Sequence, residues 1–349
     1  MSSKIEPGGA VAITYIHRGT PAFTRTNLAL FAAGFATFGL LYCVQPLMPQ
    51  FSADYGVSAA TSSLSLSVTT GVLAFALLFA GALSDTFGRK SVMTISILVS
   101  SVLVLLTTLA PTWSLLLVLR TLLGLTLSGL PAVAMTYLSE EMDHESIGLG
   151  MGLYISGSAV GGMGGRLITG VLTDFASWRV GVAVVGVAGL LAGWLFARSL
   201  PPSRHFEPQP LHLHALRRRF SVVLHDRALP WMFLEGFLLL GAFVTVYNYL
   251  GYRLLAPPYN LSQATVGMIF GVYLVGTFSS PWMGHLAGQL GRRKVLWTAV
   301  ALMLAGVLLT LARPLALIML GIVALTFGFF GGHSIVSSWV GRRAGAVKA

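Results

Sequence analysis

The chain has 349 residues, 55% hydrophobic and only 9% charged, with a net charge of +11 and a mean hydropathy of +0.80. A soluble domain carries about 25% charge, and even a large core needs a polar surface, so the composition excludes a water-soluble enzyme and makes lipid the solvent. The basic residues do not share a face with interleaved aromatics, which excludes nucleic acid as a partner, and the single cysteine, Cys43, leaves no disulfide framework or thiolate metal site.

Residues 1–26 hold Lys4, Arg18 and Arg25 but no apolar stretch of signal-peptide length, and are read as a mobile cytoplasmic tail. Ten apolar segments follow, near 27–48, 62–83, 91–110, 112–137, 148–172, 180–198, 231–251, 265–287, 294–311 and 314–340. Runs of about 20 apolar residues match a bilayer-spanning helix; they lack the alternation of barrel strands. The expected class is an all-α polytopic membrane protein, with residues 27–198 forming six helices, 199–230 a central loop and 231–349 a group of four.

Lysine and arginine set the expected orientation. With the N-terminus inside, seventeen basic residues fall in cytoplasmic segments, three (Arg179, Arg253, Arg313) fall outside, and Arg120 and Arg166 remain within spans. That asymmetry predicts two cytoplasmic termini. The central loop carries a proline-rich stretch, the basic run Arg217 to Arg219, and an apolar pattern at Leu211, Leu213, Leu216, Phe220 and Val223 that fits a short surface helix. Its histidines, His205, His212, His214 and His225, lack a carboxylate or cysteine to complete a metal set, so the loop reads as a solvated linker and no metal or cofactor is expected.

The two halves repeat. Gly81, Gly88, Arg89 and Val92 recur 203 positions later as Gly284, Gly291, Arg292 and Val295; Pro111 and Gly129 recur as Pro314 and Gly332. The loop from Tyr55 to Thr61 recurs from Tyr259 to Thr265 at an offset of 204. Duplicated halves of this kind build many secondary transporters, with the substrate near the midplane between them. By the same offset, the partners of spans five and six would lie beyond Ala349, so the second half is expected to be incomplete, lacking its last two helices.

The loop after the second span reads Gly81-Ala82-Leu83-Ser84-Asp85-Thr86-Phe87-Gly88-Arg89-Lys90. It resembles the cytoplasmic loop signature of the major facilitator superfamily, and a degenerate copy runs from Gly284 through Gly291, Arg292 and Arg293 to Lys294, with Gly288 in place of the aspartate. The glycines permit a tight turn and close helix approach. Asp85 can accept hydrogen bonds from Arg89 or a nearby helix N-terminus, and making and breaking such contacts biases one of two packings, a cytoplasmic gate. The resemblance implies a partner for the aspartate on an eleventh helix. Arg120, deep in the fourth span, resembles the family's fourth-helix arginine; an arginine in lipid is costly and faces a cavity or a partner.

Gly157, Gly161 and Gly165 lie four apart on one helix face, where another helix can pack very close. With Arg166 they resemble the glycine-rich fifth-helix motif of the drug–proton antiporter branch, although Gly162 stands where that motif has proline. Tyr42, Gln45, Tyr247 and Asn248, in the matching first and seventh spans, suit either a cavity lining or an interfacial belt. Of the acidic residues only Glu235 lies within a span, and His333 shares its depth in the tenth. Desolvation brings such groups toward neutral pH, so Glu235, His333, Arg120 and Arg166 are the proton-coupling candidates. The expected protein is a monomeric inner-membrane transporter with a small organic substrate and protons as partners, moving that substrate outward by proton-coupled efflux. A sugar or organic-anion carrier, and a non-transporting remnant, are the alternatives; no intramembrane His-Glu-x-x-His or aspartate pair supports an enzyme.

Overall fold

The computed structural model describes residues 15–209, 221 and 224–343, and among them it contains no strand. Span one is Pro21–Tyr42, continued through a short turn, Gln45–Leu47, by Met48–Tyr55. Spans two and three are Ala59–Phe87 and Arg89–Thr107. Span four is Trp113–Leu127 followed by Gly129–Glu141, and spans five and six are Ile147–Phe175 and Trp178–Ser199. Span seven is Leu229–Leu255; span eight is Gln263–Ile269 continued by Val275–Leu290; spans nine and ten are Arg292–Thr310 and Leu315–Arg343. Nine of these are long and apolar enough to cross a membrane. Span five, 29 residues long, falls short on hydropathy because glycines and Arg166 dilute it.

Two expectations change. Span one begins at Pro21, not near 27: Thr20 caps it by accepting a hydrogen bond from Phe23 N at 3.2 Å, and the polar residues of its first turns hide the start from a hydropathy reading. The expected free tail is docked from Tyr15 onward. Ile16 N donates to Glu141 O at 2.8 Å and Arg18 N to Ser146 Oγ at 2.9 Å, so this stretch lies along the end of span four. The surface helix expected around Leu211 to Val223, with Arg217 to Arg219, lies outside the described residues, as do His212 and His214. No cluster among the described residues suits a metal ion.

The repeat extends to backbone geometry. Gly88 and Gly291 both take φ +91°, which turns the chain between consecutive spans at a value only glycine adopts freely. Ser58 and Ser262 cap spans two and eight alike, each accepting from the threonine three residues on, Thr61 N and Thr265 N, at 3.1 Å. Spans three and nine begin and end 203 residues apart. The buried members of the cores are separate: those of two clusters come no later than Leu200 and those of a third lie between Leu229 and Val336, with partly buried Val244 and Tyr252 of span seven packed against the first half. Between spans one and five the backbones nearly touch. A Cβ built on Gly157 would lie 2.8 Å from Phe31 Cα, and one on Gly165 2.8 Å from Gly39 Cα. Large apolar side chains such as Phe237 (72% exposed) and Phe278 (74%) face outward, as lipid requires.

At one end of the second half, Asp226 Oδ1 accepts from Ala228 N at 2.8 Å and Leu229 N at 2.9 Å, capping span seven, and meets Arg343 Nε of span ten at 2.7 Å. The Arg343 guanidinium, then the two amides, hold the carboxyl down at about 2. A depressed carboxylate pKa adds stability above the ordinary value near 3.9, and that contribution fades as pH falls toward the folded value. Asp226→Ala is therefore expected to melt below the parent protein at pH 7, with the gap closing between about pH 4 and pH 2; a gap of constant size across that range would show that Asp226 acts without its charge.

Candidate functional site

Three levels of the bundle carry polar contacts. The first is the turn between spans two and three. Arg89 Nη2 and Nε donate to Glu140 Oε1 and Oε2 at 2.7 and 3.1 Å, a two-pronged pair with the end of span four. Its Nη1 donates to Ser84 Oγ at 2.6 Å and also to Asp85. Lys90 Nζ donates to Leu200 O at 2.5 Å, and Gln209 N to Asp85 O at 2.9 Å, so the start of the central loop straps this turn. Glu141, 2% exposed, accepts from His205 N at 2.9 Å, with Tyr15 stacked on that histidine ring at 4.3 Å. Asp85 thus meets Arg89, and the partner that sequence reasoning missed is Glu140. The only hint was a pair of acids at the end of span four. Gly88 makes the tight turn, but Gly81, Gly284 and Gly291 have nothing within 4 Å of a built Cβ, so no helix approaches closely there. Arg292 and Arg293 make no ion pair among the described residues.

The middle level holds both intramembrane arginines, and they differ. Arg120 is fully buried and bonds backbone alone: Nε to Ser65 O at 2.7 Å, Nη2 to Leu41 O at 2.8 Å and Nη1 to Leu40 O at 3.4 Å. It ties spans one, two and four together inside the first half. Arg166, 2% exposed, donates Nε to Gln45 Oε1 at 2.6 Å and Nη1 to Gly162 O at 2.5 Å. Its guanidinium lies 3.9 Å from the Tyr42 ring centre, 4.6 Å from that of Tyr273 and 5.3 Å from that of Phe270. Gln45 passes the link on, its Nε2 donating to Asn248 Oδ1 of span seven at 2.7 Å. Tyr247 shares a hydrogen bond with Thr326 at 2.8 Å, its ring against those of Phe270 and Tyr273. Four residues singled out in the sequence, Tyr42, Gln45, Asn248 and Arg166, thus meet at one point between the halves.

The third level lies at the end opposite the Arg89 turn. Asp174 accepts from Gln263 N at 3.0 Å and Ala264 N at 2.8 Å, placing a carboxylate on the N-terminus of span eight. Gln263 Nε2 donates to Pro46 O, and Tyr252 OH to Met48 O at 2.7 Å. A Cβ built on Gly170 of span five would lie 2.7 Å from Gly267 Cα of span eight. Every hydrogen bond between the halves among the described residues runs from this end down to Gln45–Asn248. None joins them at the Arg89 end.

Glu235 and His333 are not brought together: neither makes a hydrogen bond or ion pair among the described residues, and the nearest ring to His333 is Phe329, 5.4 Å away. Tyr273, Phe270, Asp174 and Gln263 escaped the sequence reading because their roles exist only between halves.

The sequence profile of the Major Facilitator Superfamily matches residues 30–348. The chain is 48% identical to an uncharacterized MFS-type transporter, YybF, of Bacillus subtilis (strain 168), over 95% of this chain and 82% of that one. It is 49% identical to the inner membrane transport protein YnfM of Escherichia coli (strain K12), over 96% and 80%. Its fold matches a nucleoside transporter, NupG, with a TM-score of 0.73 at 15% identity, covering 93% of this chain and 86% of that one. It also matches a bacterial homologue of the human lysosomal transporter Spinster, inward-facing and unoccupied, with a TM-score of 0.72 at 17% identity, covering 92% and 75%. The chain belongs to the Major Facilitator Superfamily and is a multi-pass membrane transporter.

Proposed function

We propose that the chain carries a small organic solute across the inner membrane by alternating access, exporting it in exchange for protons, with the solute held beside Arg166 between the halves. The observation that carries this reading is the one-sided closure: among the described residues the halves are hydrogen-bonded from Asp174 down to Asn248 and have no hydrogen bond between them at the Arg89 end. A carrier must hold its site open to one side at a time, and two separately cored halves rocking about a fixed site do this. The excess of arginine and lysine at the Arg89 end supports a cytoplasmic position for that end and for both termini. This state is then the one open to the cytoplasm, and the Arg89–Glu140–Asp85 cluster is the gate that re-forms on the opposite swing.

Export coupled to protons rests on the glycine face of span five and on Glu235, half-buried in span seven. A carboxyl that loses its water in one state and regains it in the other binds and releases a proton once per cycle. In proteoliposomes, solute flux is expected to follow an imposed pH gradient in the parent protein. Glu235→Gln is expected to uncouple it, cutting gradient-driven flux about 10-fold or more while counterflow persists. Full gradient-driven flux in that variant, with unchanged pH dependence, would remove Glu235 from the mechanism.

A further inference from the structure

Arg166 has neutral acceptors and ring faces around it and no acid paired with it among the described residues. Nε and Nη1 are used by Gln45 and Gly162, while Nη2 donates to nothing among the described residues. No ion pair reaches it. The hydroxyl of Tyr273, whose ring faces the guanidinium, is buried and unpaired, and that of Tyr42 makes no hydrogen bond. A buried cation is tolerated when paired or fully hydrogen-bonded, as Arg120 is by three carbonyls. Arg166 instead leans on ring faces, which return less than a desolvated guanidinium needs.

The rings belong to different halves. Tyr42 moves with Arg166, whereas Phe270 and Tyr273 are on span eight and Asn248 on span seven. When the halves part, Arg166 loses two of its three rings, and Gln45 loses Asn248. The guanidinium is then left in a cleft with free donors and aromatic walls. A carboxylate fits that vacancy: it accepts the planar two-pronged donation of arginine and a phenolic hydroxyl besides.

We propose that Arg166 is the anchor for an organic anion with a flat, apolar body, and that Tyr42 and Tyr273 occupy the anion's place when the site is empty. This takes the solute of the transport reading to be a carboxylate. Anion in the site competes with Gln45 for Arg166, and so loosens the Gln45–Asn248 link between the halves. Occupancy and opening are thereby joined through one side chain.

The test uses the purified 349-residue chain in detergent or nanodiscs, with benzoate, its neutral amide benzamide, and benzylamine as a cation. Benzoate is expected to raise the melting temperature and the other two to leave it unchanged, since only a ligand that prefers the folded state stabilises it. Arg166→Gln is expected to weaken benzoate binding at least 10-fold and Arg166→Lys by less. Tyr273→Phe removes a single unpaired hydroxyl and leaves the ring, so it is expected to fold normally and weaken binding several-fold. Benzamide binding as well as benzoate overturns the proposal. So does unchanged benzoate affinity in both Arg166→Gln and Tyr273→Phe, or a wider panel of aromatic and aliphatic carboxylates with no Arg166-dependent stabilisation. Flux separates the two readings. Arg166-dependent benzoate binding without gradient-driven transport of any solute leaves the anion site standing and removes proton-coupled export. Export of a neutral solute at parent rate by Arg166→Gln does the reverse.

Discussion

Gly161→Leu is expected to leave almost no folded protein in the membrane, whereas Gly152→Ala, nine positions earlier on the same helix, is expected to be silent. Gly161 faces span one so closely that a Cβ there would lie 2.5 Å from the carbonyl carbon of Phe35. The obstacle is backbone, which cannot rotate aside as a side chain can. Either the helices separate or span one bends, and both undo the neighbouring contacts of Gly157 on Phe31 and Gly165 on Gly39. In lipid no hydrophobic force pulls helices back together, so close packing is itself the attraction. Ordinary overpacking costs about 1–3 kcal/mol; loss of a whole helix crossing belongs to the exceptional range above about 4–5 kcal/mol, a large part of the about 5–15 kcal/mol that holds a fold together. Gly152 has nothing within 4 Å of a built Cβ. Size-exclusion chromatography of the detergent-extracted variants measures the outcome; a monodisperse Gly161→Leu protein with parent melting temperature would show that spans one and five do not pack as described.

The same comparison shows what one sequence can carry. Gly157, Gly161 and Gly165 were legible because their spacing is a property of one helix. The paired turns at Gly88 and Gly291 were legible because the repeat doubles the signal. Arg120 and Arg166 stood out equally, as charges in apolar runs, yet the sequence had no means of separating them. What separates them is the partner set: three carbonyls within one half for Arg120, and Gln45 with rings from both halves for Arg166. Glu140 and Asp174 were missed for the opposite reason. A carboxylate at a helix end is ordinary until another helix delivers an arginine or an N-terminus to it. Glu235 and His333 share a depth by helix arithmetic, but depth does not fix which way two helices face each other. Site residues that act between elements are therefore the hardest to read.

Gly267→Leu is expected to fold and to stop transport. Its geometry resembles that of Gly161, since a Cβ on Gly267 would lie 2.9 Å from Gly170 Cα on span five. The difference is which surfaces meet. Spans one and five belong to one half and stay packed throughout, while span eight meets span five across the boundary that must open and close. A leucine at Gly267 is therefore a wedge in a joint and not a clash inside one half's core. It disfavours the closed arrangement by about 1–3 kcal/mol or more, which at about 1.4 kcal/mol per tenfold is one to two orders of magnitude in population. The expected result is a protein of near-parent melting temperature whose turnover falls about 10- to 100-fold, because the Asp174–Gln263 end no longer shuts. Val244 provides the readout. It packs against the cores of both halves, so a cysteine placed there, with the buried native Cys43 replaced by alanine, is shielded while that end is closed. An impermeant maleimide should label Val244→Cys from outside markedly faster when Gly267→Leu is also present. Parent-level transport by Gly267→Leu, or labelling that ignores it, would mean that the Gly170–Gly267 crossing is no part of the moving boundary.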